Sequence, residues 1–223
     1  MAGQVLVNRQ PAGKPSDRVL PTDQLEVVAP DRYVSRGGHK LAHALACFGL
    51  DPAGQTAIDL GASTGGFTDC LLQHGARHVY AVDVGRGQLA WRLRQDWRVT
   101  VMEGINARTL TAEQFPQGWA AVDLVVIDCS FISLRKIIPA ARRLVRSGGA
   151  IVALIKPQFE AGKAEADRGA GVITDPAVHE RVVDELAQFV GGLGGLGWCG
   201  VVESPLLGPA GNKEFLVLIE NAS

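Results

Sequence analysis

Hydrophobic positions along this chain recur with two alternating periods. Short apolar runs predict strands at Thr56–Leu60, His78–Asp83, Val99–Glu103, Val122–Ile127, Ala150–Ile155, Trp198–Glu203 and Glu214–Glu220. Between them, apolar residues at helical spacing predict helices at Phe67–Gln73, Gly87–Arg94, Leu134–Arg146 and Pro176–Val190. The last of these opens with Asp175 as N-cap and Pro176 in its first turn. Ahead of the first strand, Leu41, Ala44, Leu45 and Phe48 predict a helix over Lys40–Phe48. Several strands are continuous apolar runs, the pattern of strands buried on both faces. Together they predict an α/β fold with a doubly wound, mostly parallel, seven-stranded Rossmann-like sheet.

Two segments break the alternation. Gln158–Gly171 is rich in alanine, glycine and charge directly after an apolar strand. It is either a solvated loop or a mobile lid over a site at the strand end. Gly191–Gly197 holds five glycines in seven residues, and nothing in the pattern explains them. The N-terminus has its own logic. Gln4–Asn8 and Gln24–Val28 are β-prone runs around the turn-rich stretch Arg9–Asp23. A two-stranded hairpin cannot stand alone in water, so residues 1–30 are expected to form a partial module beside a main domain at 31–223.

Composition narrows the classes. With 47% hydrophobic and 20% charged residues among 223, the chain can bury a core. Lys+Arg 22 against Asp+Glu 23 gives a formal charge of −1, so net charge does not drive it onto nucleic acid. No apolar run approaches the ~18 residues that span a bilayer. Met1-Ala-Gly-Gln has neither a basic nor an apolar region of a signal peptide. The four cysteines have no metal-ligand or CxxC spacing, so no metal is expected and a reduced cytoplasmic setting is the simplest expectation.

Ile58-Asp-Leu-Gly-Ala-Ser-Thr-Gly-Gly-Phe67 joins a buried strand to a helix, where nucleotide-like ligands meet a helix N-terminus. Gly61, Gly65 and Gly66 allow a sharp turn and a close approach to a ligand. Asp83 closes the next strand, where an acid accepts bonds from ribose hydroxyls. A dinucleotide loop needs glycine at position 63 to approach a pyrophosphate, and Ser63 stands there. S-Adenosylmethionine has no pyrophosphate, and Asp59 suits its sulfonium and ammonium charges, so the methyl donor is favoured over NAD. A tight turn that binds nothing is the plain alternative. Glu103 and Asn106, after the third strand, are placed either to meet an adenine edge or to serve as turn residues.

Asp128 ends the fourth strand and Lys156 the fifth, at the sheet edge where ligands of open α/β folds bind. Glu214 begins the last strand, so an antiparallel last strand brings it to the same edge. Lys40 opens the helix that precedes the first strand. Taken singly, each is usually a solvated charge.

Ser35-Arg-Gly-Gly-His-Lys-Leu41, Asp59–Phe67, Asp83-Val-Gly85, Asp128-Cys-Ser-Phe-Ile-Ser133, Ile155-Lys-Pro-Gln-Phe-Glu160 and Asn212-Lys-Glu-Phe215 together resemble one family. It is the TlyA/hemolysin-A family of FtsJ-like 2′-O-ribose RNA methyltransferases, and the resemblance runs from Tyr33 to the C-terminus. It implies a Lys–Asp–Lys–Glu tetrad at Lys40, Asp128, Lys156 and Glu214. It implies a donor site at Gly61, Ser63, Asp83 and Asp128, extending through Phe67 and Val84. S-Adenosylmethionine is the implied cofactor and ribosomal RNA or a ribosomal subunit the implied partner. Such proteins begin with an S4 RNA-binding module. Ala2-Gly-Gln-Val-Leu-Val-Asn8 followed by Lys14-Pro15 is similar to its second half, so residues 1–30 are expected to be a partial, S4-like hairpin.

The resemblance also implies in-line methyl transfer to a ribose hydroxyl. Lys156 would take or steer its proton, with Lys40 and Glu214 positioning and Asp128 bridging. Local basic clusters offer phosphate contacts, with Arg32, Arg36, Arg86 and Arg92 the expected RNA-binding residues. Trp91 and Trp97 lie among arginines and either stack on splayed bases or sit in the core. The rivals are a non-catalytic RNA-binding or ribosome-assembly protein on the same scaffold, a membrane-active hemolysin and an NAD-linked oxidoreductase. Ser63 disfavours the last, and the absence of an apolar span or strongly amphipathic basic helix disfavours the hemolysin.

Overall fold

The computed structural model of the chain describes residues 5–12, 14, 16–27, 31–162, 165 and 169–222. Residues 2–4, Pro15, Val28 and part of 158–171, all of which enter the expectations above, lie outside the described residues. The chain divides into two units, Met1–Arg32 and Tyr33–Ser223.

In the first unit, β1 (Val5–Val7), β2 (Gln10–Pro11) and β3 (Leu25–Val27) form an antiparallel sheet in the order β2-β1-β3. The pattern predicted two strands. The third arises because Asn8 and Arg9, at φ 52° and 66°, turn the chain straight back onto β1. Asn8 also closes the longer connection. Its Nδ2 donates to Asp23 Oδ1 at 2.8 Å, and its Oδ1 accepts the Gln24 N–H at 3.0 Å.

The second unit runs α1 (Gly37–Phe48), β4 (Thr56–Leu60), α2 (Gly66–Gln73), β5 (His78–Asp83), α3 (Trp91–Arg94), β6 (Val99–Glu103), β7 (Val122–Ile127), α4 (Ile138–Leu144), β8 (Val145–Ile155), α5 (Pro157–Glu160), α6 (Pro176–Gly192), β9 (Leu196–Glu203) and β10 (Phe215–Asn221). Its seven strands take the order β6-β5-β4-β7-β8-β10-β9. Neighbours are parallel except β10, which is antiparallel to β8 and β9.

The continuous apolar runs have a packing cause. Ile58, Leu60, Val125, Ile127, Ile151 and Ile155 pack with Ile138, Leu144, Val182 and Leu186, on the side of α4 and α6. Their neighbours Ala57, Leu124, Val126, Val152 and Leu154 pack with Leu41, Leu45, Phe67 and Leu71, on the side of α1 and α2. Each fully buried aliphatic or aromatic side chain contributes roughly 1.5–3 kcal/mol, so alternating polar positions would be costly in these strands.

Two expected helices change, and the five-glycine stretch takes a definite form. The helix over Leu134–Arg146 becomes a 3₁₀ turn at Leu134–Lys136 followed by α4, and Val145 and Arg146 join β8. Pairing of Val145 with Val122 and donation from Asn221 Nδ2 to Val145 O at 3.0 Å outweigh helical continuation there. The helix over Gly87–Arg94 shortens to α3, because Ala90 is extended and its N–H donates to Thr64 O at 3.1 Å. The five-glycine stretch is a helix-to-strand link: Gly191 and Gly192 end α6, Gly194 and Gly195 turn at φ 63° and 66°, and Leu196 opens β9. As expected, α6 starts with Asp175 accepting the Ala177 N–H at 2.9 Å. No helix among the described residues is long and apolar enough to cross a membrane.

Candidate active site

Strand order reverses between β4 and β7, and a crevice opens at their carboxyl ends, where open α/β sheets bind ligands. The Asp128 N–H donates to Leu60 O at 2.9 Å, which aligns the two strand ends. Gly61 then turns at φ 87°, and a Cβ there would stand 2.7 Å from Asp128 O, so only glycine fits. The N–H groups of Gly61 and Ala62 both donate to Val82 O, at 2.9 and 3.1 Å. Ser63 adopts φ 48°, unfavourable for a residue with a Cβ. Asp83 offsets this, because its Oδ2 accepts the Ser63 N–H at 2.8 Å and its Oδ1 the Gly85 N–H at 2.6 Å. One carboxylate thus joins the loops after β4 and β5.

Asp59 lies beneath this loop. Its Oδ2 accepts the Thr68 N–H at 2.9 Å and the Thr68 Oγ1–H at 2.7 Å, pinning the start of α2 to β4. Its Oδ1 is buried without a hydrogen-bond partner among the described residues. Burial pushes this carboxyl up to about 7 from the usual 3.8, with the Asp128 and Asp83 charges adding to the rise and Thr68 opposing it.

A cavity of about 470 Å³ fills the crevice. Of the residues expected at the donor site, Gly61, Ser63, Asp83, Val84, Asn106 and Asp128 line it. Asp59, Gly65, Gly66, Phe67 and Glu103 do not. Phe67 is in the core, and Gly65 caps α2 at φ 99°. A Cβ on Gly66 would lie 2.3 Å from Ser35 Oγ, so the glycine loop and the Ser35–Leu41 motif pack on each other. Glu103 Oε1 is occupied by the Gly87 N–H at 3.0 Å and by Arg94. These hold its carboxyl below the usual range, the Gly87 N–H foremost. Asn106 serves as a turn residue, its Oδ1 accepting the Arg108 N–H at 3.0 Å, and it also lines the cavity.

The lining suits an adenosyl sulfonium. Val82, Ile105, Ala107, Ile132 and Ile137 form apolar wall, while the Asp83 and Asp128 carboxylates offer hydrogen-bond acceptance and negative charge. Cys129 also lines it, but burial pushes its thiol up to about 12, so it is no nucleophile at neutral pH.

The four residues of the expected tetrad converge at one edge. In the β8–β10 register Phe215 faces Ile155, so Glu214 and Lys156 leave the sheet at the same end. Lys156 is extended at φ −114°, ψ 100° ahead of Pro157. Its Nζ lies 2.7 Å from Asp128 Oδ1 and donates to Ser130 Oγ at 2.8 Å. Lys40 Nζ donates to Glu214 Oε2 at 2.5 Å, with both side chains buried. A Cβ on Gly37, at the start of α1, would be 3.8 Å from Asp128 Oδ2, so the helix carrying Lys40 begins beside the Lys156–Asp128 pair.

Sequence reasoning missed Ser130, Phe131 and Glu160. Phe131 edges the cavity at φ 63°, is 90% exposed and meets the Phe159 ring at 5.2 Å. Glu160 accepts Ser133 Oγ–H and the Leu134 N–H, each at 2.6 Å, tying the loop after β7 to the turn after Lys156. Burial raises the Glu160 pKa. The available signal was position, since Ser130 follows Asp128 by two residues and Glu160 closes the motif that begins at Ile155.

The expected RNA-binding arginines are spread out. Arg36 is exposed and donates to Leu207 O at 2.8 Å. Arg86 is exposed with its guanidinium over Gly104, and Arg92 is exposed and pairs with Asp69 at 2.5 Å. Arg32 is an exposed residue of the first unit. Trp91 and Trp97 stand in solvent, not in the core.

A family model described as FtsJ-like methyltransferase matches residues 33–221. The 16S/23S rRNA (cytidine-2'-O)-methyltransferase TlyA of Mycobacterium tuberculosis (strain ATCC 25618 / H37Rv) is 48% identical over 220 residues, covering 97% of this chain and 80% of that protein. Hemolysin A of Brachyspira hyodysenteriae is 40% identical over 222 residues, covering 97% and 88%. The solved structure of a hemolysin-named protein from Streptococcus thermophilus superposes with TM-score 0.83 at 43% identity, covering 99% of this chain and 80% of that one. With the glycine loop, the switch-point cavity and the paired lysines and acids in one unit, the chain belongs to the FtsJ-like methyltransferase family.

Proposed function

We propose that this protein methylates the 2′-hydroxyl of a ribose in ribosomal RNA, using S-adenosylmethionine, in the cytoplasm. The observation that carries the proposal is the meeting of two lysine–carboxylate pairs, Lys156–Asp128 and Lys40–Glu214, at the strand edge beside a cavity of about 470 Å³. The relative from M. tuberculosis, named as an rRNA (cytidine-2'-O)-methyltransferase, supports the substrate class.

Asp83 and Asp128 would hold the donor, with Asn106 and the apolar wall at its base and with Ser63 and Gly61 leaving room for its backbone-facing side. The donor supplies an electrophilic methyl group, so the protein's task is to orient a weakly acidic hydroxyl and manage its proton. Lys156, aimed by Asp128 and Ser130, handles that proton. Lys40, held by Glu214, positions the hydroxyl. Both lysines are buried, so their hydrogen bonds act where water competes little.

Residues 1–30 serve, in this proposal, as a partial S4-like RNA-binding segment, with Arg32, Arg36, Arg86 and Arg92 contacting phosphate. The experiment is transfer of tritiated methyl from S-adenosylmethionine to intact ribosomal subunits, followed by mapping of the labelled ribose. Lys156→Ala should abolish transfer and leave donor binding by calorimetry intact. Retained turnover by that variant removes Lys156 from the chemistry, and label on a base rather than a ribose overturns the reaction class.

A further inference from the structure

Among the described residues, three large aromatic rings are left in solvent: Phe131, which edges the methyl-transfer cavity, and Trp91 and Trp97, which do not. Trp91 is 74% exposed and Trp97 is 84% exposed, whereas Trp119 and Trp198 pack partly buried against the core. The fold does not need either exposed ring. Leu93, between them, is the residue that α3 buries, and the Leu93 N–H on Ala90 O at 2.9 Å holds the turn.

The stretch between and beyond the rings lines a separate cleft of about 400 Å³. Its walls are Arg92, Leu93, Asp96 and Arg98, with Asp69 and Gln73 from α2. Each guanidinium is fixed in place. Arg92 Nη2 bonds Asp69 Oδ2 at 2.5 Å, yet the side chain stays 58% exposed. Arg98 grips Asp96 through Nη2 at 2.7 Å and Nε at 3.0 Å, and its Nη1 donates to Leu72 O at 3.3 Å. Held guanidiniums lose little side-chain freedom when a ligand arrives. Asp69 Oδ2, in the wall of this cleft, also accepts the Val34 N–H at 2.8 Å.

The chemistry selects the occupant. A protein partner is met by apolar cores depleted of charge. Here each exposed indole is followed in sequence by an arginine, and residues 85–98 hold four arginines and one aspartate; Arg92 pairs with Asp69 and Arg94 with Glu103, yet the Arg92 side chain stays 58% exposed. That mixture fits single-stranded nucleic acid, whose bases stack on aromatic rings while its phosphates lie against basic groups. We infer that Trp91, Trp97 and the Arg92–Arg98 cleft form an RNA-docking surface, outside the methyl-transfer cavity, that takes unpaired bases of the substrate RNA by stacking. This rests on the RNA methyltransferase reading given above.

The test uses the full chain with Trp91→Ala, Trp97→Ala, their Phe counterparts and Arg92→Gln. Both rings are exposed, so the fold should survive; unchanged thermal melting and S-adenosylmethionine affinity check this. The probes are a short unstructured oligoribonucleotide, its duplex, and protein-free ribosomal RNA. Single-stranded RNA should quench tryptophan fluorescence and the duplex should not. Each Ala variant should weaken single-strand binding by about 5- to 150-fold, the value of one stacked base, and Phe should restore most of it. The dependence on salt should be unchanged in the tryptophan variants and shallower by about 0.7 in Arg92→Gln, since only phosphate contacts release counterions. Wild-type affinity in both Ala variants overturns the inference. So does a loss seen only with intact subunits and not with protein-free RNA, which assigns the surface to a ribosomal protein. Methyl transfer measured in parallel separates the two proposals. A wild-type protein that binds RNA through these rings but transfers no methyl group refutes the enzymatic reading alone.

Discussion

Removing Glu214 tests the buried half of the candidate site and its energetics together. The Lys40 and Glu214 side chains are 8% and 1% exposed, and their contact is 2.5 Å. Glu214 Oε1 is hemmed in, because even a Cβ on Gly208 would approach it to 2.5 Å. Glu214→Ala therefore strands an ammonium group that has little access to water. Losing one partner of a buried ion pair costs about 3–5 kcal/mol, far more than the pair contributes over an apolar replacement. For a chain of this size each kcal/mol lowers Tm by roughly 2–4 °C, so a fall of about 6–20 °C is expected. Lys40→Met with Glu214→Leu removes both charges and should recover most of that loss, giving a coupling energy of about 3 kcal/mol in a double-mutant cycle. The double variant should nonetheless fail to methylate RNA, since no polar group then positions the hydroxyl. Urea unfolding followed by tryptophan fluorescence measures the first quantity, and tritium transfer to ribosomal subunits the second. A Glu214→Ala variant destabilised by less than about 1 kcal/mol would refute the electrostatic reasoning. A double variant with wild-type turnover would remove the pair from the reaction.

Asp59→Asn probes the acid beneath the glycine loop. Its folded-state pKa of about 7 lies above the ordinary 3.8, so its contribution to stability is complete below pH 3.8 and disappears as pH rises through about 7. The Asn variant should show a flatter loss of stability across that window in urea melts at stepped pH; an unchanged slope counts against a buried, protonated Asp59. Ser130→Ala removes one of two groups that aim Lys156 and should lower kcat by about 10- to 150-fold, the value of a hydrogen bond to a charged group. If kcat holds and only the RNA KM rises, Ser130 contacts substrate and does not aim the lysine. Gly61→Ala forces a Cβ to 2.7 Å from Asp128 O at a positive φ, and S-adenosylmethionine affinity by calorimetry should fall at least ~10-fold. Wild-type affinity would show that the loop can shift without cost to the cavity.

Much of the catalytic unit was legible from periodicity because its strands are buried on both faces, and a strand so placed must be apolar throughout. The ends of β4, β5 and β7 were legible for a related reason: Asp59, Asp83 and Asp128 are the polar residues that interrupt or stop apolar runs. Boundaries set by long-range contacts were not. Val145 entered a strand because Val122 and Asn221 were waiting for it. Ala90 stayed extended because Thr64 O accepts its N–H. In the first unit, two left-handed residues added a strand that β-propensity did not reveal.

The sequence by itself determined the alternating architecture, the glycine loop and the residue types able to do the chemistry, because these depend on local spacing and backbone limits. Only the tertiary structure decided which charges pair and which stay in water. Lys156 found Asp128 and Ser130 across parallel strands, Lys40 found Glu214 from 174 residues away, and Glu103 was turned from the cavity by Arg94 and Gly87. It also left Trp91 and Trp97 in solvent, since the indole next to an arginine has the same sequence pattern whether it packs inward or outward. The physical reason is common to all of these. A side chain's partner is set by the packing of distant elements, and one-dimensional spacing carries no information about which of them arrives.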